Sequence, residues 1–176
     1  MKVHKLEGHK LKIFLVDTGK AKPFWGRKSN KELLVKSLDV LDRWITQSKI
    51  FEKLKKRKKD FDFTVTLCGK QRIQTLNRRF RKKNAPTDVL SFPMYENLVE
   101  DSDLFENINL GDIVICKDIA QKQARAYEVT EKEEFVRLLV HGFLHLFGYD
   151  HELSRKHEIK MFKEQEIILG KILGGL

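Results

Sequence analysis

The chain has 176 residues, of which 41% are apolar and 34% charged, and this balance predicts one soluble globular domain over residues 1–176. No stretch approaches the roughly 20 consecutive apolar residues of a membrane span, and the run Ile13–Val16 is too short for the apolar region of a signal peptide. We therefore expect a cytoplasmic protein that does not enter a membrane.

The formal net charge of +10 favours a polyanionic partner, either nucleic acid or an anionic membrane surface. A surface rich in lysine and glutamate, selected for thermal stability, explains the density of charge but not the excess of positive charge. Cys68 and Cys116 are the two cysteines of the chain, and each stands in an apolar run typical of a strand. Two buried thiols in a reducing compartment are expected.

The N-terminal part of the chain predicts one strand and one long helix. Residues 1–9 are polar, and we expect them to be loosely ordered with their histidines in solvent. A strand is predicted over residues 10–17. After a loop, Ser29 or Asn30 caps a helix whose apolar residues recur at helical spacing as far as Ile45.

A strictly alternating segment, Phe61–Leu67, is the clearest strand in the sequence. The helix predicted after it, at residues 70–82, turns four residues towards the core, namely Ile73, Leu76, Asn77 and Phe80. Its opposite face is strongly basic and carries Arg72, Arg78, Arg79, Arg81, Lys82 and Lys83. We expect this face to contact the polyanionic partner that the net charge suggests.

Two further strands are predicted, at residues 89–92 and 110–116. Pro93 cannot donate a hydrogen bond to a neighbouring strand, so the first of the two should end there or lie at an edge of the sheet. The acidic segment between them, residues 94–109, is expected to be an exposed loop. Asp118 is predicted to cap the helix that follows.

The most informative segment is a histidine motif in the helix that the Thr130–Glu133 capping box opens. His141 and His145 are four residues apart, so both imidazoles lie on one face of that helix. Gly148 is the residue type expected just past a helix end, where the backbone turns left-handed and can bring His151 back to the same point. Three neutral imidazoles that leave a fourth position open are the ligands of a catalytic zinc, expected at one Zn²⁺ per chain.

These elements predict an α+β fold with a four-stranded mixed sheet, about five helices and a metal site at the end of a central helix. We expect the metal helix to pack on the sheet and to carry its ligands at one edge. A final helix should begin at Ser154, with His157 on it structural or solvated. Asp112 and Asp150 could orient metal-bound imidazoles, or they could be ordinary cap and turn aspartates.

A site with three histidine ligands is compatible with more than one class of function. The spacing of the three histidines matches that of the metzincin proteases, in which a glutamate directly after the first histidine is the general base. Here that position is Gly142, so the metal frame is present without that base. The alternatives are a metallopeptidase-like zinc hydrolase and a non-catalytic RNA-binding factor with structural zinc.

The run His141-Gly-Phe-Leu-His145-Leu-Phe-Gly-Tyr-Asp-His151 resembles the signature of the YbeY endoribonucleases, which act in ribosomal RNA maturation. Two further regions are similar to motifs of that family. One is residues 76–81 together with 86–93, and the other is residues 110–116.

The resemblance implies a zinc-dependent endoribonuclease specific for single-stranded RNA. It implies action in maturation of the 3′ end of 16S ribosomal RNA and in ribosome quality control, with the ribosome or its small subunit as partner. It places zinc on the three histidines and implies a catalytic role for Arg81. Whether water or the 2′-hydroxyl of the RNA is the nucleophile stays open, as does the oligomeric state.

Overall fold

The computed structural model describes residues 2–19, 27–54, 60–101 and 106–174. Within these ranges the chain forms five strands and seven helices, which confirms the predicted α+β class. The strands are β1 Lys2–Glu7, β2 Leu11–Asp17, β3 Asp60–Cys68, β4 Val89–Pro93 and β5 Asn107–Cys116. The helices are α1 Lys28–Gln47, α2 Lys49–Leu54, α3 Lys70–Arg81, α4 Leu98–Asp101, α5 Lys117–Ala126, α6 Glu131–Leu146 and α7 Arg155–Leu173. The two short helices, α2 and α4, come in addition to the roughly five that were predicted.

The strands form one mixed sheet in the order β1-β2-β3-β5-β4. β2, β3 and β5 run parallel to one another, whereas β1 and β4 pair antiparallel with their neighbours at the two edges. β4 is therefore an edge strand that ends at Pro93, as the sequence predicted. Among the described residues, no helix combines the length and the apolar composition that crossing a membrane requires.

The prediction of four strands was wrong by one strand, because the polar N-terminal segment forms β1. This strand pairs with β2 along its whole length, from Lys2 opposite Asp17 to Glu7 opposite Lys12. Of its described side chains only Leu6 is buried, so the strand carries almost no apolar signal. His4 is half-buried rather than in solvent.

The main core lies between one face of the sheet and the helices α1, α6 and α7. Phe63 of β3 and Phe143 of α6 are fully buried there, with ring centroids 5.7 Å apart. Trp44 of α1 packs edge-on against Phe143 and Phe147, at 5.5 and 5.3 Å. These aromatic contacts fix α6 against both the sheet and α1, and α6 is the helix that carries the histidine motif.

A smaller core on the other face of the sheet holds α3, through Cys68, Ile73, Leu90, Val114 and Cys116. Both cysteines are buried free thiols, as predicted, and burial raises the pKa of Cys68 to about 11. The prediction that Phe80 turns inward was wrong, since this side chain is 53% exposed. It lies in the last turn of α3, beside edge strand β4, beyond which the described sheet has no further strand to cover it.

Of the predicted helix caps, two were wrong and two are confirmed. Ser29 and Asn30 lie inside the first turn of α1, and Asp118 lies inside the first turn of α5. The reciprocal capping box at Thr130–Glu133 opens α6, and the side chain of Ser154 caps α7.

The acidic segment 94–109 is only partly the exposed loop that was predicted. It contains α4, where Leu98 is buried, and β5 already begins at Asn107. The start of β5 was missed because Asn107 and Asn109 are polar and exposed. Residues 102–105 lie outside the described ranges.

Candidate functional site

The end of α6 turns the chain back on itself, as the glycine in the motif predicted. Gly148 has a φ of +79°, in the left-handed region. Its N–H donates to the carbonyl of His145 at 3.0 Å, and the N–H of Tyr149 donates to the carbonyl of Leu144 at 3.1 Å. These two bonds form a Schellman motif, which closes the helix and directs the following residues, including His151, towards its last turn.

This turn brings the three predicted histidines together. One ring nitrogen from each of His141, His145 and His151 lies within 4.8 Å of the other two. The Nε2 atoms of His141 and His145 are 3.2 Å apart, near the roughly 3.4 Å that separates two imidazole nitrogens on a tetrahedral zinc. The donor set therefore fits one metal ion. His4, His9 and His157 are not part of this cluster.

Burial keeps two of the imidazoles neutral. It lowers the pKa of His145 to about 4, with further lowering by the neighbouring His141 and His151. Burial also lowers the pKa of His141, although a hydrogen bond with Gln165 acts in the opposite direction. Because imidazole binds metals in its neutral form, these two side chains are ready for a metal ion at neutral pH.

Gln165 on α7 contacts the cluster and was missed in the sequence. Its side chain is 4% exposed, and its Oε1 lies 3.0 Å from Nδ1 of His141. An amide oxygen only accepts, so Nδ1 carries the proton and Nε2 keeps its lone pair for the metal. The available signal was a lone polar residue on the buried face of α7, among Met161, Ile168 and Ile172.

We expect Gln165→Leu to weaken zinc binding about 10- to 100-fold, the usual cost of losing a partner that orients a metal-bound histidine. Gln165→Glu keeps an acceptor at the same place and should retain most of the affinity. Zinc dissociation constants from competition with a chromogenic chelator measure both effects. Parental affinity in Gln165→Leu would show that this bond does not orient the ligand.

The helix α6 crosses the sheet closely at Gly142. A Cβ atom there would lie 2.8 Å from Cγ2 of Ile113 and 3.1 Å from Oγ of Ser91. Metzincin proteases carry their glutamate at this position, directly after the first histidine. A side chain here would have to displace Ile113 and Ser91 of the sheet, which weighs against the metallopeptidase alternative.

Gly142→Ala is expected to lower the free energy of unfolding by about 1–3 kcal/mol through overpacking against the sheet. Gly170→Ala is the matched control, because it also lies in a helix and a Cβ there meets nothing within 4 Å. That control should be neutral or stabilising by up to about 1 kcal/mol. Urea unfolding of the two variants makes the comparison, and equal stabilities would contradict the close approach.

The histidine cluster opens into a cleft of about 1180 Å³. Residues of edge strand β4, including Val89 and Ser91, line it, together with the turn that carries His151. Phe162 of α7 also lines the cleft, and its ring stacks on that of His151 with centroids 6.0 Å apart. The predicted location, at the end of a central helix and one edge of the sheet, is the location observed.

Arg81, the predicted catalytic residue, reaches this cleft from the end of α3. Its Nη2 donates to both carboxylate oxygens of Glu152, each at 2.8 Å, and Glu152 directly follows His151. The two side chains are 48% and 54% exposed, so the pair contributes only about 0–1 kcal/mol to stability. An anionic ligand can therefore compete with Glu152 for the guanidinium.

A second arginine, not predicted from the sequence, lines the cleft. Arg137 lies one turn before His141, and its Nε and Nη2 donate to the carboxylate of Glu134 at 2.7 and 2.6 Å. Glu134 is 1% exposed, and Asp88 lies 3.8 Å from the same guanidinium. The bond to Glu134 raises the pKa of Arg137 and holds its guanidinium in place. The i, i+4 spacing to His141 was the available signal.

The cleft itself is not strongly basic, since its charged side chains are Arg81, Lys83, Arg137, Asp88, Glu96, Asp150 and Glu152. Asp150 accepts a hydrogen bond from the backbone N–H of Glu152 at 2.8 Å, which is the contact of a turn aspartate. Asp112 is exposed and does not line the cleft, so it is not an orienting partner of the histidines. The positive charge is concentrated on the neighbouring α3 and its C-terminal cap, where Arg72, Arg78, Arg79 and Lys82 are exposed.

Fold and site together define a class of protein: an α+β protein in which three histidines suited to a metal ion line an open cleft at the edge of a mixed sheet. Comparisons with known proteins narrow this class. The sequence model of the family described as Endoribonuclease YbeY matches residues 27–173. The chain therefore belongs to the YbeY endoribonuclease family, which confirms the resemblance of its motifs.

Individual relatives agree with this assignment. The Endoribonuclease YbeY of Leptospira interrogans is 44% identical over 127 residues, which cover 65% of this chain and 89% of the relative. The Endoribonuclease YbeY of Thermotoga neapolitana is 34% identical over 147 residues, covering 84% and 85% of the two chains. A solution structure of a Thermotoga maritima protein is similar with a TM-score of 0.54 and 30% identity, covering 93% of this chain and 90% of that one.

Proposed function

We propose that this protein is a zinc-dependent endoribonuclease that cleaves single-stranded RNA, within one hydrolase domain over residues 1–176. Membership of the YbeY family supports the reaction class. The observation that carries the proposal is the convergence of His141, His145 and His151 in an open cleft that Arg81 also lines. Its biological substrate would be ribosomal RNA in the cytoplasm, in maturation of the 16S 3′ end and in ribosome quality control on the small subunit.

The chain's own residues have distinct tasks in this proposal. His141, His145 and His151 would hold the zinc, which would supply a Lewis acid and an activated water for hydrolysis. Gln165 and Phe162 hold two of the imidazole rings in place. Arg81 can exchange its carboxylate partner for two phosphoryl oxygens, because its planar fork matches either group. Its charge would then offset the negative charge that grows on phosphorus oxygens in the transition state.

Arg137 complements this arrangement from inside the cleft. Its bonds to buried Glu134 use Nε and Nη2, so the guanidinium is fixed before any ligand arrives. A fixed cation loses little side-chain entropy when it binds a phosphate. Because Glu134 and Asp88 offset its charge, Arg137 would hold a neighbouring phosphate by hydrogen bonds rather than neutralise it.

The two alternative functions have less support. A metallopeptidase of the metzincin type needs a glutamate where Gly142 packs against the sheet. A structural zinc is usually enclosed by four protein ligands, whereas the three histidines here line an open cleft. Incubation of the zinc-loaded protein with labelled single-stranded RNA, duplex RNA and casein separates the three. Cleavage of single-stranded RNA alone is expected; casein cleavage, or RNA binding without cleavage, would contradict the proposal.

RNA binding should weaken steeply with salt, because exposed arginines and lysines of α3 neutralise phosphates. The logarithmic slope should be about −0.7 per phosphate neutralised on a single strand, so a double Arg78→Gln, Lys82→Gln variant should flatten it by about 1.4. The matched control removes two exposed lysines of another helix, Lys28 and Lys31 of α1, which packs on the opposite face of the sheet from α3. Fluorescence anisotropy with a short RNA over a salt series measures the slopes. Equal slopes in the two double variants would assign the α3 cluster to solubility or thermal stability.

A further inference from the structure

Phe80 is a large apolar side chain that the rest of the protein leaves exposed to solvent. It lies in the last turn of α3 and is 53% exposed. Its neighbour Arg81 lines the cleft beside the histidine cluster. Single exposed apolar residues are common on protein surfaces, so exposure alone assigns no role. The surroundings of this ring are what distinguish it.

The ring is held in a defined position. Phe92 of edge strand β4 contacts it edge-on, with centroids 5.1 Å apart and planes at 68°. The guanidinium carbon of Arg79 lies 5.3 Å from the ring centroid, a cation–π distance. The neighbours of Phe92 in β4, Ser91 and Pro93, line the cleft, so Phe92 and the Phe80 ring lie on the other face of this edge strand, next to the cleft rather than in it. Phe80 is therefore fixed between the basic helix and the strand that forms the cleft wall.

Proteins commonly bind single-stranded nucleic acids through an aromatic ring that is surrounded by exposed cations. Unpaired bases present a flat π-face, and the neighbouring phosphates pair with arginine and lysine. Arg79 supplies such a charge beside the ring, and Arg78 and Lys82 add exposed charges nearby in the chain. A duplex keeps its bases stacked within the helix and offers no such face. A ring at this place thus favours single-stranded over double-stranded substrate.

We propose that Phe80 and Arg79 form a base-stacking subsite for a nucleotide flanking the one at the histidine cluster, and that this subsite contributes to single-strand preference. The inference rests on the proposed endoribonuclease function and adds a specificity-determining residue to it. The ring binds an unpaired base by its face, while Arg81 on the next position of the helix binds the phosphate inside the cleft.

The test uses the zinc-loaded full-length protein and a short single-stranded RNA. Phe80→Leu keeps an apolar contact with Phe92 but removes the π-face, and Phe80→Trp keeps a π-face. Val35→Ala on α1 is the control, since this side chain is similarly exposed and α1 packs on the opposite face of the sheet from α3. Phe80→Leu should raise the Kd for single-stranded RNA about 5- to 100-fold, the range for loss of one base–aromatic contact. Phe80→Trp and Val35→Ala should bind like the parent, and duplex binding should change little in any variant.

A second measurement distinguishes loss of the stacking contact from misfolding of the variant. RNAs that lack one base at successive positions are titrated against the parent and against Phe80→Leu. One position should weaken binding to the parent but leave Phe80→Leu unaffected, because the base and the ring act as a pair. If the parent protein cleaves RNA and Phe80→Leu binds single-stranded RNA equally well, the stacking subsite alone is wrong. The exposed ring would then be a contact for a protein. A parent that neither binds nor cleaves RNA overturns the proposed function and the subsite together.

Discussion

His151→Ala is expected to lose its bound zinc and to retain no more than about one part in 10³ of the RNA cleavage, because Lewis-acid assistance contributes several kcal/mol. His151 lies on a turn outside α6, so its removal should leave the helix and the core intact while only two imidazoles remain for the metal. Zinc per chain by mass spectrometry, circular dichroism and cleavage rates are measured on one preparation.

His9→Ala is the matched control for this variant, since His9 is an exposed histidine outside the cluster. It should keep about one zinc per chain and full activity. The same loss of metal is expected for His141→Ala and His145→Ala. Full zinc content in His151→Ala would show that the third ligand is wrongly assigned.

Arg81→Ala is expected to reduce turnover at saturating RNA by about 10²- to 10³-fold, the effect of removing one charge-stabilising donor. Zinc content and folding should be unchanged, because the ion pair with Glu152 is exposed. Arg81→Lys should restore little, since an ammonium cannot hold two phosphoryl oxygens in one plane. Arg79→Ala should mainly weaken binding.

Glu152→Gln separates a catalytic from a structural role of Arg81. If Arg81 served only to hold the turn after His151, removing its carboxylate partner would reproduce the loss of turnover. We expect Glu152→Gln to turn over at least as fast as the parent, with the guanidinium released for the phosphate. If Arg81→Ala turns over as fast as the parent at saturating RNA, Arg81 only attracts phosphates and has no catalytic role.

The histidine cluster could be predicted because all its determinants are local. The i, i+4 spacing of His141 and His145 fixes their common face, and Gly148 fixes the reversal that returns His151. The capping box that starts α6 is equally local. None of these features depends on how distant parts of the chain pack.

The missed features depend on the order of strands and on contacts between distant elements. Gln165 reaches His141 from another helix, and Arg137 is locked in a network that includes Asp88. The helical spacing of Phe80 predicts an inward side chain. However, the last turn of α3 lies beside β4, the last strand of the described sheet, and few side chains are there to cover the ring. The strand β1 lacked an apolar pattern, because it is an edge strand with one buried side chain among those described.

The central claim, that the three-histidine cluster serves a metal-dependent cleavage of RNA, is tested most directly by removing and restoring the metal. The protein is stripped with a chelator, dialysed and assayed on single-stranded RNA before and after addition of one equivalent of zinc, with the His151→Ala variant treated in parallel. We expect the stripped parent to be inactive, one equivalent of zinc to restore cleavage, and the variant to stay inactive throughout. Cleavage by the stripped parent at the rate of the zinc-loaded protein would contradict the account.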